Sequence, residues 1–219
     1  MNGYNHPVSI STIFFDLDDT LYPAASGLWP LIAERIGLFM LERLMIPADE
    51  ILPLRHKLFE EYGTTLRGLQ VNYVFDVADF LAFVHDVPLL DYIQPDPLLQ
   101  AVLQDLPARK FIFTNADVNH ARRVLRILQI EQYFDGIIDV VALDPYCKPM
   151  PQSFKIAMDA AGEPDPRRCA IIDDIPRTTR AAREQGLFAI LYGKDEPHSQ
   201  ADAVLADWSR LPELLNVRN

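Results

Sequence analysis

The 219-residue sequence predicts an α/β protein, a three-layer core on a parallel sheet with an all-helical block inserted behind its first strand. Three observations carry this. From residue 96 onward, short apolar runs rich in β-branched and aromatic residues alternate with helical patterns, the mark of βαβ units. Between those runs and the first one, Ile13-Phe14-Phe15, lies the stretch 21–95, whose apolar residues recur only at helical spacing. And groups that can do chemistry follow directly on the apolar runs, where an open parallel sheet has its ligand crevice.

Each element has a local reason. Ile13-Phe14-Phe15 is too short for a helix and too apolar for a loop, as expected of a central parallel strand. Leu28, Leu31, Ile32, Ile36, Phe39 and Met40 form a helical stripe that Pro47 stops, and Ala48-Asp49-Glu50 opens a second helix carrying Leu54, Leu58 and Phe59. Trp29 and Phe39 read as core of this block. Tyr62–Gly68, with two glycines, reads as a loop. Val77, Phe80, Leu81 and Val84 mark another helix, and the proline-rich 88–97 a linker. Asp96-Pro97 starts a helix that ends before Pro107. Lys110–Thr114 is a second strand. Asp117 caps a helix with Val118, Ala121, Val124, Leu125 and Leu128. Phe134-Asp135-Gly136-Ile137-Ile138 reads as a turn and a weak strand, and the helix after Lys148-Pro149-Met150-Pro151 stops at Gly162. Cys169–Ile172 is a strand ending in Asp173-Asp174, followed by a helix from about Arg177 to Gln185 and a strand Leu187–Leu191. Residues 202–219 add a short strand and helix. The core is thus 1–20 plus 96–219, and the helical block 21–95.

Composition excludes several classes. Apolar residues make up 49%, enough for a packed core. The net charge of −11 disfavours a nucleic-acid polymer, which needs a basic face. Two cysteines cannot make a disulfide framework, and Cys169 reads as a buried thiol. The polar opening Met1–Pro7 does not resemble a signal peptide, and no apolar stretch approaches the roughly 18 residues of a spanning helix. No membrane partner and a cytoplasmic setting are the expectations. The pattern leaves monomer and homodimer both open.

The strand ends hold the chemistry. The first is followed by Asp16 and Asp18, the second by Thr114 and Asn115, and another by Asp173 and Asp174, while Lys148 precedes a helix in the same half. In one parallel sheet these groups converge on one edge. Asp16 and Asp18, two residues apart, face the same side if the backbone stays extended. Carboxylates without a histidine or cysteine cluster suit a hard cation, Mg²⁺ best. Threonine and lysine suit phosphate oxygens. Plainer readings exist: Asp-Asp-Thr is turn and cap chemistry, Asn115 could cap a turn, Lys148 could be a solvated lysine, and Asp173 or Asp174 a helix cap. The five histidines (His6, His56, His85, His120, His198) show no ligand spacing and read as surface residues. Arg67 is the residue of the helical block most suited to face a substrate. Its plainer alternative is an ion pair with Glu60 or Glu61.

Asp16-Leu17-Asp18-Asp19-Thr20, Thr114-Asn115, Lys148-Pro149 and Ile171-Ile172-Asp173-Asp174 together resemble, in order, the four motifs of the haloacid dehalogenase superfamily. The resemblance implies a Rossmann-like core with 21–95 as its cap. It implies that Asp16 attacks phosphorus and that Asp18 protonates the leaving oxygen and then accepts a proton from water. It further implies Mg²⁺ held by Asp16, the Asp18 carbonyl and Asp174, with Asp173 assisting directly or through water. Thr114, Lys148 and Asn115 would face phosphate, with Lys148 also steadying Asp16. Departures are Ile175 and Thr178, where small polar or acidic residues are usual, and Met150, which cannot cap its helix. Asp16–Tyr22 with Tyr62–Gly68 also resembles the pyrimidine 5′-nucleotidase-like subgroup.

The function these features imply is Mg²⁺-dependent hydrolysis of small phosphorylated metabolites, nucleoside 5′-monophosphates first. Sugar-phosphate phosphatase or phosphomutase activity and 2-haloacid dehalogenation are alternatives. The last needs no acid at Asp18. A phospho-receiver binding module also uses Asp, an acidic pair, Thr and Lys around Mg²⁺. However, its acidic pair comes first in the chain, and it has no use for Asp18 or a helical insert.

Overall fold

The computed structural model describes residues 9–194 and 196–216. Readings that fall on Met1–Pro7, His6 among them, lie outside the described residues, as do positions 217–219. Six strands, β1 (Thr12–Phe15), β2 (Arg109–Phe113), β3 (Gly136–Ile138), β4 (Cys169–Asp173), β5 (Phe188–Tyr192) and β6 (Ala203–Leu205), form one sheet in the order β3-β2-β1-β4-β5-β6. Every pairing is parallel. The first strand in sequence is therefore central, flanked by β2 and β4, and its C-terminal end lies beside theirs.

Alternation along the strands sorts the core into two faces. Ile13, Phe15, Ile112 and Ile172 pack with α5 (Pro97–Asp105), α6 (Val118–Leu128) and α9 (Leu211–Asn216). Phe14, Phe113 and Ile171 pack on the other side with α7 (Pro151–Ala161) and α8 (Pro176–Glu184). This is the expected three-layer Rossmann-like arrangement. Phe14, Phe113 and Phe154 interlock edge to face, with centroids 6.0 and 5.6 Å apart. Helix starts follow the predicted chemistry: Asp96 accepts from Leu98 N and Asp117 from Asn119 N, while Met150 makes no side-chain cap. Gly162 closes α7 in the left-handed conformation, φ 65°.

Between β1 and β2 the described chain is helical: α1 (Leu28–Glu42), α2 (Ala48–Tyr62), α3 (Thr65–Asn72) and α4 (Val77–Val84). Phe39 is buried among Phe75, Phe80 and Phe83. Trp29, expected in the core, is 42% exposed, because Leu28 and Ile32 take the buried stripe of α1. The segment expected as a loop contains α3. Thr64 caps it by accepting from Arg67 N, and Gly68 sits inside it for packing rather than for turning. A Cβ there would lie 2.6 Å from Leu58 Cβ, so the glycine is what lets α3 close on α2. No helix among the described residues is long and apolar enough to cross a membrane.

Gly68→Ala adds about 1 kcal/mol of helix propensity, yet it is expected to destabilise the fold. Overpacking costs about 1–3 kcal/mol and the clash meets a Cβ rather than a flexible tip. The midpoint of urea unfolding should fall with an unchanged slope.

Candidate active site

The sheet brings Asp16, Thr114, Lys148, Asp173 and Asp174 to one edge. β1 ends at Phe15, and Asp16 N still donates to Ile172 O at 2.9 Å, tying it to β4. Lys148 Nζ lies 2.6 Å from Asp16 Oδ1 and 2.7 Å from Asp173 Oδ2. All three side chains are buried. The other oxygen of Asp16 accepts from Thr20 Oγ1 at 3.2 Å, and that of Asp173 from Ile175 N at 2.9 Å. One ammonium thus joins two carboxylates from neighbouring strand ends.

The Asn115 side chain is taken up within the protein. Its amide clamps the Lys148 backbone, accepting from Lys148 N at 2.9 Å and donating to Lys148 O at 3.0 Å. Thr114 is buried, and its hydroxyl accepts from Ala116 N at 3.0 Å, which shapes the turn after β2. Asp174 makes no hydrogen bond among the described residues. Burial pushes its carboxyl up to about 8, with Asp16 and Asp173 adding repulsion. Burial likewise raises Asp16 to about 7, against the opposing pull of Lys148. Burial alone would lower Lys148, but Asp16 and Asp173 outweigh it and hold the ammonium above its ordinary value.

The extended backbone of β1 stops at Phe15, yet Asp18 stays near enough to Asp16 to repel it. The Asp18 Oδ1 accepts from Tyr22 Oη at 2.6 Å and meets His120 Nε2 at 2.9 Å. Burial alone would raise Asp18, but the His120 ring and these hydrogen bonds bring it down to about 2. Among the described residues no three carboxylate, imidazole or thiol side chains cluster closely enough to hold a metal by themselves. What remains is Asp16 and Asp174, both raised chiefly by burial, with Asp16 adding repulsion on Asp174. That hard-oxygen set fits Mg²⁺, which takes one or two carboxylates and keeps several waters.

Two of the histidines expected at the surface are buried. His120, 1% exposed, lies in the first turn of α6, and its ring stacks on that of His85 with centroids 4.2 Å apart. His85 Nδ1 lies 2.6 Å from Asp117 Oδ2, and burial pushes this imidazole below its ordinary value. The signal was present in the sequence. His120 precedes Val124 and Leu128 at four-residue steps, and His85 follows Leu81 by four, so both sit on apolar stripes.

Arg67 is also corrected. It is buried, and its donors go to Val140 O, Tyr146 O, Gln70 Oε1 and Asp144 Oδ1. All five N–H groups have protein acceptors in this arrangement, which leaves none for a ligand. Its partner is Asp144 of the core rather than Glu60 or Glu61. Arg177, not singled out from sequence, makes a second strut: it donates to Phe59 O at 2.9 Å and Gly63 O at 2.7 Å, and stacks 3.5 Å over the Phe59 ring. Gly63, at φ 85°, passes so close that a Cβ would meet Cys147 Sγ at 2.8 Å and Lys148 O at 3.1 Å.

Arg67→Met would strand two carbonyls and Asp144, and is expected to cost about 2–4 kcal/mol by urea unfolding. Asp16 and Asp174 give a second expectation. Their folded values lie above the unfolded one, so between about pH 4 and 8 the metal-free native state holds more protons than the unfolded chain. Stability should therefore fall as pH rises through that window. Asp18, held low, acts only below it. Thermal melts should show a higher midpoint at pH 5 than at pH 8, and Asp174→Asn should flatten the difference.

A family profile described as haloacid dehalogenase-like hydrolase matches residues 10–205. The yeast (Saccharomyces cerevisiae) "Phosphate metabolism protein 8" is 29% identical over 93% of this chain and 72% of its own. A 2-haloacid dehalogenase from Pseudomonas syringae superposes with TM-score 0.61 at 23% identity, over 96% of this chain and all of that one. A magnesium-bound HAD-hydrolase from Bacillus subtilis superposes with TM-score 0.60 at 16% identity, over 95% of this chain and 99% of that one. The profile covers most of the chain and all four strand-end motifs, and the chain therefore belongs to the haloacid dehalogenase-like hydrolase family.

Proposed function

We propose that this hydrolase acts on small phosphate monoesters with Mg²⁺, through a phosphoryl group carried on Asp16. The observation that supports this most directly is the Lys148 ammonium shared by Asp16 and Asp173, beside the unpartnered Asp174. A buried cation that orients one carboxylate, with a second carboxylate close by, is what phosphoryl transfer asks of a protein: position and charge neutralisation. When bound, the metal would be held by Asp16, Asp174 and the Asp18 carbonyl and would neutralise phosphoryl oxygens.

In this reading one carboxylate oxygen of Asp16 attacks phosphorus, and the bond from phosphorus to the ester oxygen breaks. Asp18 gives that oxygen its proton, and the alcohol leaves. Asp18, now a carboxylate, takes a proton from a water that attacks phosphorus, and the bond to Asp16 breaks to release phosphate. Lys148 balances the charge on Asp16 throughout, and Thr114 with Lys148 lies where phosphoryl oxygens would be received. Asn115 acts on substrate only through the Lys148 backbone it clamps.

Residues 21–95 serve as a cap in this proposal, a role supported by their struts to the catalytic edge through Arg67 and Arg177. Nucleoside 5′-monophosphates are the proposed first substrates, on the strength of the resemblance at Asp16–Tyr22 and Tyr62–Gly68. Dehalogenation shares the fold but leaves Asp18 without a task, since a departing halide takes no proton.

The test is phosphate release from a metabolite panel with Mg²⁺. Asp16→Asn should lose more than about 10³-fold, Asp18→Asn about 10²–10⁴-fold on alkyl esters, and EDTA should abolish turnover. UMP and CMP should rank above sugar phosphates. Equal ranking removes the nucleotide assignment, and chloride release from 2-chloropropionate without phosphate release removes the whole reading.

A further inference from the structure

Asp18 is gripped by two side chains that the reaction above leaves without a task. Tyr22 Oη and His120 Nε2 both meet the same oxygen, Oδ1, at 2.6 and 2.9 Å, while Oδ2 makes no hydrogen bond among the described residues. Oδ1 accepts from both groups, with Nε2 carrying the hydrogen, and this leaves Oδ2 to hold the proton that Asp18 passes to the leaving oxygen. The other ring nitrogen, Nδ1, is buried and has no partner. A leucine would fill that space without an orphaned polar atom, and what only the imidazole adds is a donor at Asp18.

The ring is itself held by its neighbours. His85 stacks on it at 4.2 Å with an interplanar angle of 19°. His85 is anchored through Nδ1 to Asp117 and through its carbonyl to Arg123, at 2.6 and 2.7 Å. Asp117 in turn accepts from His120 N and so caps the helix that carries the ring. His85 ends α4 of the helical insert, whereas Asp117 and His120 belong to the core.

We propose that His120 and Tyr22 are positioning residues for Asp18: they fix its Oδ1 so that Oδ2 alone is presented to the leaving-group oxygen, with His85 setting the plane of the His120 ring. This rests on the reading of Asp18 as the proton shuttle. The insert thereby takes part in aiming an acid that sits on the core, through one stacked ring.

Leaving-group dependence tests it. The value of kcat/KM reports steps through the breaking of the ester bond, and p-nitrophenolate departs without a proton. With the full chain and Mg²⁺, His120→Leu and Tyr22→Phe should each lower kcat/KM for an alkyl phosphate about 10- to 100-fold but for p-nitrophenyl phosphate less than about threefold. KM should change little. His120→Gln, whose amide can donate from a similar point, should recover most of the alkyl rate. In the metal-free protein, the Nε2–H signal of His120 in a ¹H–¹⁵N spectrum should move in Asp18→Asn. Equal losses on both esters without recovery in His120→Gln overturn the positioning role, and so does an unmoved signal. Should His120→Leu fail to fold, Tyr22→Phe, which removes only a hydroxyl, decides by the same ratio. Failure of the underlying reading looks different: Asp18→Asn itself would keep its alkyl rate, and the inference would fall with it.

Discussion

The structure depends on one buried ammonium. Lys148 reaches two carboxylates that arrive from different strands. Burying a charge is tolerable only when it is paired and its remaining hydrogen bonds are met. Both conditions hold: Thr20 and Ile175 N take the outer oxygens of Asp16 and Asp173, and Asn115 fixes the Lys148 backbone from both sides. Removing the lysine would leave two buried carboxylates facing Asp174 with nothing between them. The parallel sheet matters because it puts these three segments at one edge at all.

The helical insert is bound to that edge by charged side chains rather than by an apolar seam alone. Arg67 from the insert grips core carbonyls, Arg177 from the core grips insert carbonyls, and His85 reaches Asp117. Carbonyl acceptors on one side and guanidinium forks on the other give direction to the contact. The close pass of Gly63 against Cys147 and Lys148 means that the insert touches the very segment that presents the lysine. The geometry of the insert and of the catalytic edge are therefore coupled by contact.

Much was legible before any coordinates. The strands at Ile13–Phe15, Cys169–Ile172 and Leu187–Leu191 announce themselves because they are short, apolar and β-branched, and their parallel sheet follows from the helices between them. The strand-end groups were found because that topology has a single place for them. Legibility failed where a residue's role depends on a partner distant in sequence. Gly68 reads as a turn residue until Leu58 is seen against it. Arg67 reads as a free cation until the 140–146 segment is seen around it. His85 and His120 were passed over because ligand spacing was sought along the chain, whereas their pairing is across it.

The sequence by itself determined the fold class, the position of the helical stretch and the set of groups at the strand ends. Apolar periodicity and strand order are local signals, and a parallel sheet turns them into placement. Only the tertiary structure decided which carboxylate answers to Lys148, which is held by His120 and Tyr22, and which stays unpartnered. Two of those choices are made by contacts more than a hundred residues apart along the chain, the 132 separating Asp16 from Lys148 and the 102 separating Asp18 from His120. No pattern in the neighbourhood of either member of a pair encodes the distance between them.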